Sequence, residues 1–393
     1  MKEVWIVGAA RTPFGSFNGA LSTIPASDLG ATAIREAIKR SGVKDDDIDE
    51  VIMGCVLPGG QGQAPARMAM IKAGLPAKVA AMTVNKVCGS GLKSVGLAVQ
   101  AIMCGDADVI VAGGMESMSL GPHVLQKSRQ GYRMGNVVAE DLMIKDGLWD
   151  SYNNCHMGNF ADKTAEKYGY TREQLDEFTV ESYKKTLKAQ EEGVFDWEIV
   201  PVEVPQRKGD PIVVDKDEEP GRVKFDKIPK LRPAFNKDGK ITAANASSIN
   251  DGAGAVIVAS AEKAKELGLK PLAKFIAQAT ASLEPNWFTL APIDSIKNVL
   301  KKADMSTEDI DLWEINEAFS VVSLLTNDEL KLDPAKVDIY GGAVAVGHPI
   351  GVSGTRVLIS LINGLKRTKG KIGCTSLCIG GGEAIAMIIE NLE

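Results

Sequence analysis

The stretch Val84-Asn85-Lys86-Val87-Cys88-Gly89-Ser90-Gly91-Leu92 places one cysteine between a β-favouring run and a helical pattern. The apolar residues of that pattern continue at helical spacing, at Val95, Val99 and Ile102. A thiol at a strand-to-helix turn lies near the positive end of the helix dipole, which lowers its pKa towards the reactive thiolate. The alternative is a buried core cysteine, the usual place of a free thiol. The adjacent Gly-Ser-Gly favours the turn, because a core strand seldom needs such backbone freedom.

A second stretch near the C-terminus repeats this design. Gly347-His348-Pro349-Ile350-Gly351-Val352-Ser353-Gly354 leads into a helix predicted for 355–365. In each half the helix is followed by a strand that ends in glycines, at Gly113-Gly114-Met115-Glu116 and at Cys378-Ile379-Gly380-Gly381-Gly382. The repetition predicts one α/β unit used twice, with both turns facing a shared centre. A histidine in that centre suits a general base that activates a thiol.

Alternation of strands and helices on both sides of these stretches predicts a layered α/β fold with much parallel pairing. Predicted strands cover 4–7, 51–53, 109–112, 253–259, 272–277, 312–315, 337–340 and 373–379. The alternation lapses between Leu120 and Asn250, where one helix begins at a capping box, Thr171-Arg172-Glu173-Gln174. We predict an N-terminal α/β half at 1–119 completed by 250–270, an inserted loop domain at 120–249, and a C-terminal α/β half at 271–393.

Composition excludes several classes of function. The 393 residues carry a formal charge of −6 without long runs of one sign, so nucleic-acid binding is not expected. The six cysteines show no paired spacing of the zinc or disulfide type, and with only three histidines a metal-binding pattern is absent from the sequence. Free thiols favour a cytoplasmic location. We expect no signal peptide and no apolar run long enough to cross a membrane. The glycine-rich segments do not match the dinucleotide or nucleoside-triphosphate motifs.

Four blocks, in order and spread through the chain, resemble the signature blocks of the thiolase family. They are Val87-Cys88-Gly89-Ser90-Gly91, Asn316-Glu317-Ala318-Phe319, Gly347-His348-Pro349-Ile350-Gly351 and Cys378-Ile379-Gly380-Gly381-Gly382. The resemblance extends over essentially the whole chain. It implies a core of duplicated halves in αβαβα layers, and the chemistry of enzymes that make or cleave acetoacetyl-CoA.

By this resemblance, Cys88 is deprotonated by His348 and takes up an acetyl group from acetyl-CoA. Cys378 then removes a proton from a second acetyl-CoA, whose carbanion attacks the acetyl-enzyme. One oxyanion hole is formed by His348 with a water held by Asn316, and the other by the backbone N–H groups of Cys88 and Gly380. The products are acetoacetyl-CoA and CoA, and thiolysis is the reverse.

The resemblance also implies that the inserted domain binds coenzyme A. The residues expected to line its pantetheine channel or contact the acyl group are His156, Met157, Phe235, Ala243, Ser247, Phe288, Ala318 and Phe319. A cluster of basic residues suits the CoA phosphates, although it also fits a solvated charged loop: Arg222, Lys224, Lys227 and Lys230.

Two departures from the family bear on substrate and cofactor. Phe288-Thr289 replaces the Met-Gly of bacterial biosynthetic relatives, and we hypothesise tolerance of 2-methylacetoacetyl-CoA. Pro220 replaces a tyrosine that helps to bind potassium in the mitochondrial type, so a potassium site is doubtful and no other cofactor or metal is expected.

Two alternatives remain open, a broader-range 3-ketoacyl-CoA thiolase and a non-catalytic CoA-binding scaffold. The resemblance further suggests a homotetramer, and a downstream enzyme that consumes acetoacetyl-CoA as a partner.

Overall fold

The computed structural model describes residues 2–393. Over this range the chain forms ten α-helices: α1 (Ala26–Ser41), α2 (Pro65–Lys72), α3 (Ser90–Cys104), α4 (Met157–Lys167), α5 (Arg172–Glu191), α6 (Ala261–Glu266), α7 (Ala291–Ala303), α8 (Ser320–Leu330), α9 (Ala343–Val346) and α10 (Ser353–Thr368). The same range contains sixteen β-strands: β1 (Val4–Arg11), β2 (Gly15–Ser16), β3 (Glu50–Gly54), β4 (Ala80–Val84), β5 (Val109–Ser117), β6 (His123–Leu125), β7 (Ala139–Asp141), β8 (Trp149–Asp150), β9 (Cys155–His156), β10 (Val202–Val204), β11 (Ile212–Val214), β12 (Asn250–Ser260), β13 (Ala273–Ser282), β14 (Leu312–Ile315), β15 (Ile372–Ile379) and β16 (Glu383–Asn391).

The main sheet has the strand order β14-β15-β16-β13-β1-β12-β5-β3-β4 and consists of two similar halves. From β1 through β12 and β5 to β3, the successive pairings are antiparallel, antiparallel and parallel. From β13 through β16 and β15 to β14 they follow the same sequence. The halves join where β1 pairs with β13, through Trp5 with Lys274 and Ile6 with Ala273. The predicted duplication of an α/β unit is confirmed.

Helices α3 and α10 lie between the two half-sheets. One apolar cluster unites Val95 of α3 and Leu358 of α10 with Ile110 from the first half-sheet and Ile385 from the second. Helices α1 and α2 cover the outer face of the first half-sheet, and α7 covers that of the second. The layers therefore follow the predicted αβαβα order, with α3 and α10 in the middle layer.

The N-terminal turns of α3 and α10 pack too closely for any side chain at two positions. A Cβ on Gly91 would lie 2.8 Å from the backbone nitrogen of Thr355, and a Cβ on Gly354 would lie 2.4 Å from that of Leu92. The contacts are reciprocal, since each glycine meets the residue that follows the other glycine. This exchange marks the local pseudo-twofold axis that relates the two halves.

Residues 118–249 connect β5 to β12 and interrupt the alternation of strands and helices. They contain α4, α5, a π-helix at Met143–Leu148 and the short hairpins β6–β7, β8–β9 and β10–β11. The capping box at the start of α5 is confirmed, with both the Thr171 and Gln174 side chains bonded as predicted. The domain boundaries proposed at 119, 249 and 270 stay predictions.

Three predictions about strands are wrong. Residues 337–340 form no strand, because Val337 makes only an isolated bridge to Trp313. Strand β5 continues through Gly113-Gly114-Met115-Glu116 instead of ending there; a Cβ on Gly114 would lie 2.0 Å from the carbonyl oxygen of Gly351, so these glycines allow close approach of the second turn. Among the strands of residues 2–393, parallel pairing occurs only between β3 and β4, β3 and β5, and β14 and β15, apart from isolated bridges.

Within residues 2–393, segment 87–104 has the length and composition of a membrane span, contrary to the sequence expectation. In this fold, 56% of the segment is buried. It contains α3, which packs between the half-sheets, and its apolar composition is explained by that position in the core.

Candidate active site

The two glycine-rich turns meet at one cavity of about 440 Å³, and each contributes a reactive side chain. Cys88 precedes α3 and follows Val87, whose φ of 45° is strained for a β-branched residue. His348 precedes α10 and lines the same cavity. Because Gly91 and Gly354 occupy equivalent positions in the reciprocal contact of the helices, the residue equivalent to Cys88 is Gly351. His348 lies three residues before Gly351 in the chain.

The imidazole of His348 is buried and hydrogen-bonded on one side. Its Nδ1 atom lies 2.6 Å from Ser353 Oγ, and that hydroxyl donates to the carbonyl of Pro349 at 2.9 Å. A serine hydroxyl has one proton to donate, so we assign the His348 tautomer with its proton on Nδ1. The Nε2 atom has no hydrogen-bond partner among the described residues. It is the nitrogen that can accept a proton.

His348 is neutral in this environment. Burial, together with the positive charge of Arg356, lowers its pKa to about 3. Both effects disfavour the imidazolium form. At neutral pH the side chain is therefore in the form that a general base requires.

Cys88 rests as a thiol. The residue as a whole is partly exposed, yet burial of the thiol raises its pKa to about 11; the charge of Glu116 adds to this rise. The backbone N–H groups of Gly380 and of Cys88 itself oppose it. The predicted lowering of this pKa is therefore wrong for the resting site, because desolvation outweighs the donors. The two N–H groups nevertheless converge on the sulfur, where they could stabilise an oxyanion.

Cys378 ends strand β15 and faces the same cavity. It is 1% exposed, and burial, followed by the repulsion that a Cys88 thiolate would exert, raises its pKa well above the usual value. Gly381 and Gly382 have φ of 90° and 91°, in the left-handed region that glycine adopts without strain. The glycine run thus turns the chain sharply into β16 and leaves Gly380 beside Cys88.

Asn316 lies behind His348 and does not line the cavity. It follows β14 and is completely buried. Its Oδ1 accepts a hydrogen bond from the Arg356 guanidinium at 2.9 Å, and its Nδ2 lies 3.4 Å from His348 Nδ1. With the assigned tautomer this second contact joins two donors and is not a hydrogen bond. Because Asn316 does not line the cavity, its Nδ2 protons could act on a ligand only through a water molecule.

Most of the predicted CoA-binding residues line the main cavity: His156, Met157, Arg222, Phe235, Ala243, Ser247, Phe288, Ala318 and Phe319. Lys224 and Lys227 line a neighbouring cavity of about 570 Å³, which Arg222 also borders. Lys230 is not among the residues that line either of these two cavities. The basic side chains therefore lie where the main cavity opens towards the inserted segment.

A wall of aromatic rings limits the main cavity on one side. His156 stacks on Phe235 with ring centroids 4.5 Å apart, and Phe319 lies edge-on to both Phe235 and Phe288. His156 Nδ1 accepts a hydrogen bond from the Gly158 N–H, so its Nε2 carries the proton and can donate. Burial lowers the pKa of His156 and keeps it neutral.

Sequence reasoning did not identify Ser353, Arg356 or the role of Glu116. Ser353 could have been found, because it aligns with Ser90, whose hydroxyl bonds a carbonyl of its own turn in the same way. Glu116 accepts hydrogen bonds from the backbone of Val56 and Leu57 and holds that loop beside the second turn. Its partners are about 60 positions away in the chain, so no local pattern indicates them.

Among residues 2–393, no group of three or more His, Cys, Asp or Glu side chains is placed to hold a metal ion. Pro220, on which the doubt about potassium rests, is buried in a short helical turn, Pro220–Arg222. The question of a potassium site stays a prediction.

Two family models match nearly the whole chain. They are described as the thiolase N-terminal domain, at residues 4–262, and the thiolase C-terminal domain, at residues 269–391. An acetyl-CoA acetyltransferase of Cupriavidus necator is 53% identical over 392 residues, covering all of both chains. A probable acetyl-CoA acyltransferase of Staphylococcus aureus is 51% identical over 394 residues, with equal coverage.

Solved structures agree with these relatives. The Acat5 thiolase from Ascaris suum, crystallised in complex with coenzyme A, is 44% identical with a TM-score of 0.95 and complete coverage of both chains. The acetyl-CoA acetyltransferase of Bacillus anthracis is 40% identical with a TM-score of 0.97, covering 100% of this chain and 99% of that one.

Proposed function

The chain belongs to the thiolase family, and we propose that it is an acetyl-CoA C-acetyltransferase that interconverts two acetyl-CoA with acetoacetyl-CoA and CoA. The observation that carries the proposal is the meeting of Cys88, His348 and Cys378 at one cavity. The chain also matches acetyl-CoA acetyltransferases over its full length.

Protonation of the resting site determines how each step starts. In thiolysis, His348 Nε2 takes the proton of Cys88, and the thiolate attacks the 3-keto carbon of acetoacetyl-CoA. The C2–C3 bond then breaks, its electron pair forms the enolate of acetyl-CoA, and the Cys378 thiol donates a proton to C2. Acetyl-CoA leaves, and the acetyl group remains on Cys88. The raised pKa of Cys378 suits this role as an acid.

Incoming CoA completes the cycle. Its thiol gives a proton to the Cys378 thiolate and attacks the acetyl group on Cys88. The departing Cys88 sulfur recovers its proton from His348, so that all three groups return to their resting states. Condensation follows the same steps in reverse, and metabolite concentrations decide the direction.

Two sets of donors suit the two oxyanions of this reaction. The N–H groups of Cys88 and Gly380 already converge on the Cys88 sulfur and would hold the oxygen of the acyl group attached to it. The thioester oxygen of the enolate would then lie on the side of the cavity that His348 occupies, and Asn316 lies behind His348.

Coenzyme A would enter past the inserted segment. Phe235 and His156 supply an apolar wall for pantetheine, and Arg222, Lys224 and Lys227 supply positive charge for the phosphates. Arg222 already lies 3.5 Å from Glu218, so phosphate would compete with that carboxylate.

The nucleophile is tested with Cys88→Ser. We expect loss of thiolysis by on the order of 1000-fold or more, since a neutral hydroxyl is a far weaker nucleophile than a thiolate. Intact-mass measurement after addition of acetyl-CoA should find an acetyl adduct on the wild type and none on the variant. Cys104→Ser, at an exposed cysteine, is the matched control and should keep both activity and adduct. Near-normal turnover by Cys88→Ser, or a wild type without adduct, would overturn the proposal in favour of a binding role.

The acyl range is tested with acetoacetyl-CoA, 2-methylacetoacetyl-CoA and 3-ketohexanoyl-CoA. Phe288, 3% exposed, and Phe319 close the cavity around the acyl position, so we expect thiolysis of the first two and weak thiolysis of the longer chain. Comparable kcat/KM for 3-ketohexanoyl-CoA would favour the broader-range thiolase instead. Complete absence of branched turnover would remove the proposed tolerance of the 2-methyl group.

We also propose a homotetramer. Apolar side chains of residues 120–152 are unusually exposed in the single chain: Met134 is 97%, Tyr152 78% and Val138 74% exposed. Strand β4 adds a partly exposed sheet edge, with Met82 40% exposed. Such surfaces favour association with further copies of the chain.

A further inference from the structure

Arg356 is a buried cation directly behind the proposed catalytic groups. It lies on α10, is 2% exposed, and contacts two residues at the end of β14. One NH2 nitrogen donates to Asn316 Oδ1 at 2.9 Å, and the other donates to Glu314 Oε2 at 3.1 Å. Its Nε has no partner among the described residues.

We infer that Arg356 is a positioning residue, whose guanidinium fixes the Asn316 side chain so that its NH2 group, and not its oxygen, faces His348. The inference rests on the proposed thiolase activity. Asn316 has an oxygen and a nitrogen of nearly equal size at its end, so packing alone does not distinguish the two orientations.

The guanidinium cation of Arg356 distinguishes the two orientations of the Asn316 amide. Guanidinium has donors only, so it attracts Oδ1 and rejects the amide NH2 group. Turning the amide over would put two donors together at Arg356, one of them a buried cation, which costs more than the present contact between the neutral donors of Asn316 and His348. It would also remove the Asn316 NH2 group that the proposed oxyanion hole uses to hold its water. The orientation of Asn316 is therefore decided by Arg356, which lies on α10, eight residues after His348.

The arrangement is not explained as a simple ion pair. Buried charges cost several kcal/mol in desolvation, and apolar residues of similar volume often stabilise a fold as well as a buried pair does. Burial also raises the pKa of Glu314, so its carboxylate is not a strong partner for the arginine. The contact with Asn316 gives the buried cation a role that an apolar side chain could not supply.

A double-mutant cycle on the full chain tests this role. The variants are Arg356→Met, Asn316→Ala and the two combined, compared with the wild type by kcat and KM for acetoacetyl-CoA thiolysis. We expect kcat of Arg356→Met to fall on the order of 100-fold, as for loss of an oxyanion-hole donor, with a much smaller change in KM. In the Asn316→Ala background the same substitution should cost little more.

Glu314→Gln is the matched control, because it removes the other partner of Arg356 and leaves the Asn316 contact intact; it should retain most of the activity. If Arg356→Met does not fold, the double variant Glu314→Gln/Arg356→Met is used in its place throughout the cycle, because it keeps the buried site neutral. Full additivity of the two losses, or a kcat of Arg356→Met near that of the wild type, would overturn the inference while leaving the proposed function in place. A wild type without thiolysis would instead overturn the proposed function, and this inference with it.

Discussion

The reactive groups of the cavity are all uncharged at rest. Burial raises the pKa of the Cys88 thiol to about 11, and it also raises the pKa of the Cys378 thiol well above its usual value. The same burial lowers the pKa of His348 to about 3. In the proposed mechanism, transfer of the Cys88 proton to His348 is therefore unfavourable until a substrate carbonyl is in place to become an oxyanion held by the N–H groups of Cys88 and Gly380. This coupling keeps the thiols unreactive in the absence of substrate.

A pH effect on stability is expected from another buried group, Asp338. Its Oδ1 accepts the Ile315 N–H at 2.8 Å, whereas Oδ2 has no partner among the described residues. Burial, with the charge of Glu317, raises its pKa to about 8 from an ordinary value of 3.8. The protonated carboxyl thus stabilises the fold below the unfolded pKa, and this stability is lost as pH rises towards 8. The free energy of unfolding should therefore fall as pH rises, with a slope that approaches about 1.4 kcal/mol per pH unit.

Asp338→Asn should remove most of this slope, because the amide keeps the acceptor and cannot ionise. Free energies of unfolding from denaturant titrations across this pH window provide the measurement. Asp226→Asn, at a side chain 75% exposed, is the control and should follow the wild type. Parallel curves for the wild type and Asp338→Asn would contradict the assignment of the slope to this carboxyl.

At the scale of elements, the site depends on two helices that begin against each other. Helix α3 starts just after Cys88, and α10 starts five residues after His348. Their contact at Gly91 and Gly354 leaves no room for a methyl group, and it fixes the turn of Cys88 against the turn of His348. Glycine is needed at these two positions so that the backbones of the two helices can approach each other, and not only to give the turns conformational freedom.

Gly354→Ala should therefore destabilise the fold and displace both turns. The new Cβ would lie 2.4 Å from the backbone nitrogen of Leu92, a group that cannot rotate away. We expect a loss of about 2 kcal/mol or more in the free energy of unfolding, together with a lower kcat. Gly221→Ala is the control, since its Cβ would meet nothing within 4 Å. Equal melting temperatures for these two variants would refute the close-approach explanation.

The whole molecule places functional groups from both halves in one cavity. Cys88 comes from the first half, and His348 and Cys378 come from the second. Since α3 and α10 share one apolar cluster between the half-sheets, neither half can bury its own faces alone. The site is therefore complete only when both halves are packed against each other.

The proposed tetramer is tested at this scale. Met134→Glu with Val138→Glu places charge on the most exposed apolar part of residues 120–152, and burial of those charges in an interface would be costly. Light scattering after gel filtration should give the mass of four chains for the wild type and a smaller assembly for the variant. Ile212→Glu, 56% exposed on the β10–β11 hairpin, is the control and should remain tetrameric. A wild type that elutes as a monomer would refute the proposal.

The family, the duplicated α/β core and the residues that meet in the cavity could all be predicted from the sequence. These features have local causes, since glycine turns beside Cys88, His348 and Cys378 and apolar periodicity are properties of short segments. The protonation of those groups could not be predicted, and the expected pKa of Cys88 was reversed, because burial depends on the surrounding elements. Only the tertiary structure decided which nitrogen of His348 is free and which end of Asn316 faces it. Those outcomes come from Ser353 and Arg356, through contacts that exist only once α10 packs against β14 and the first turn.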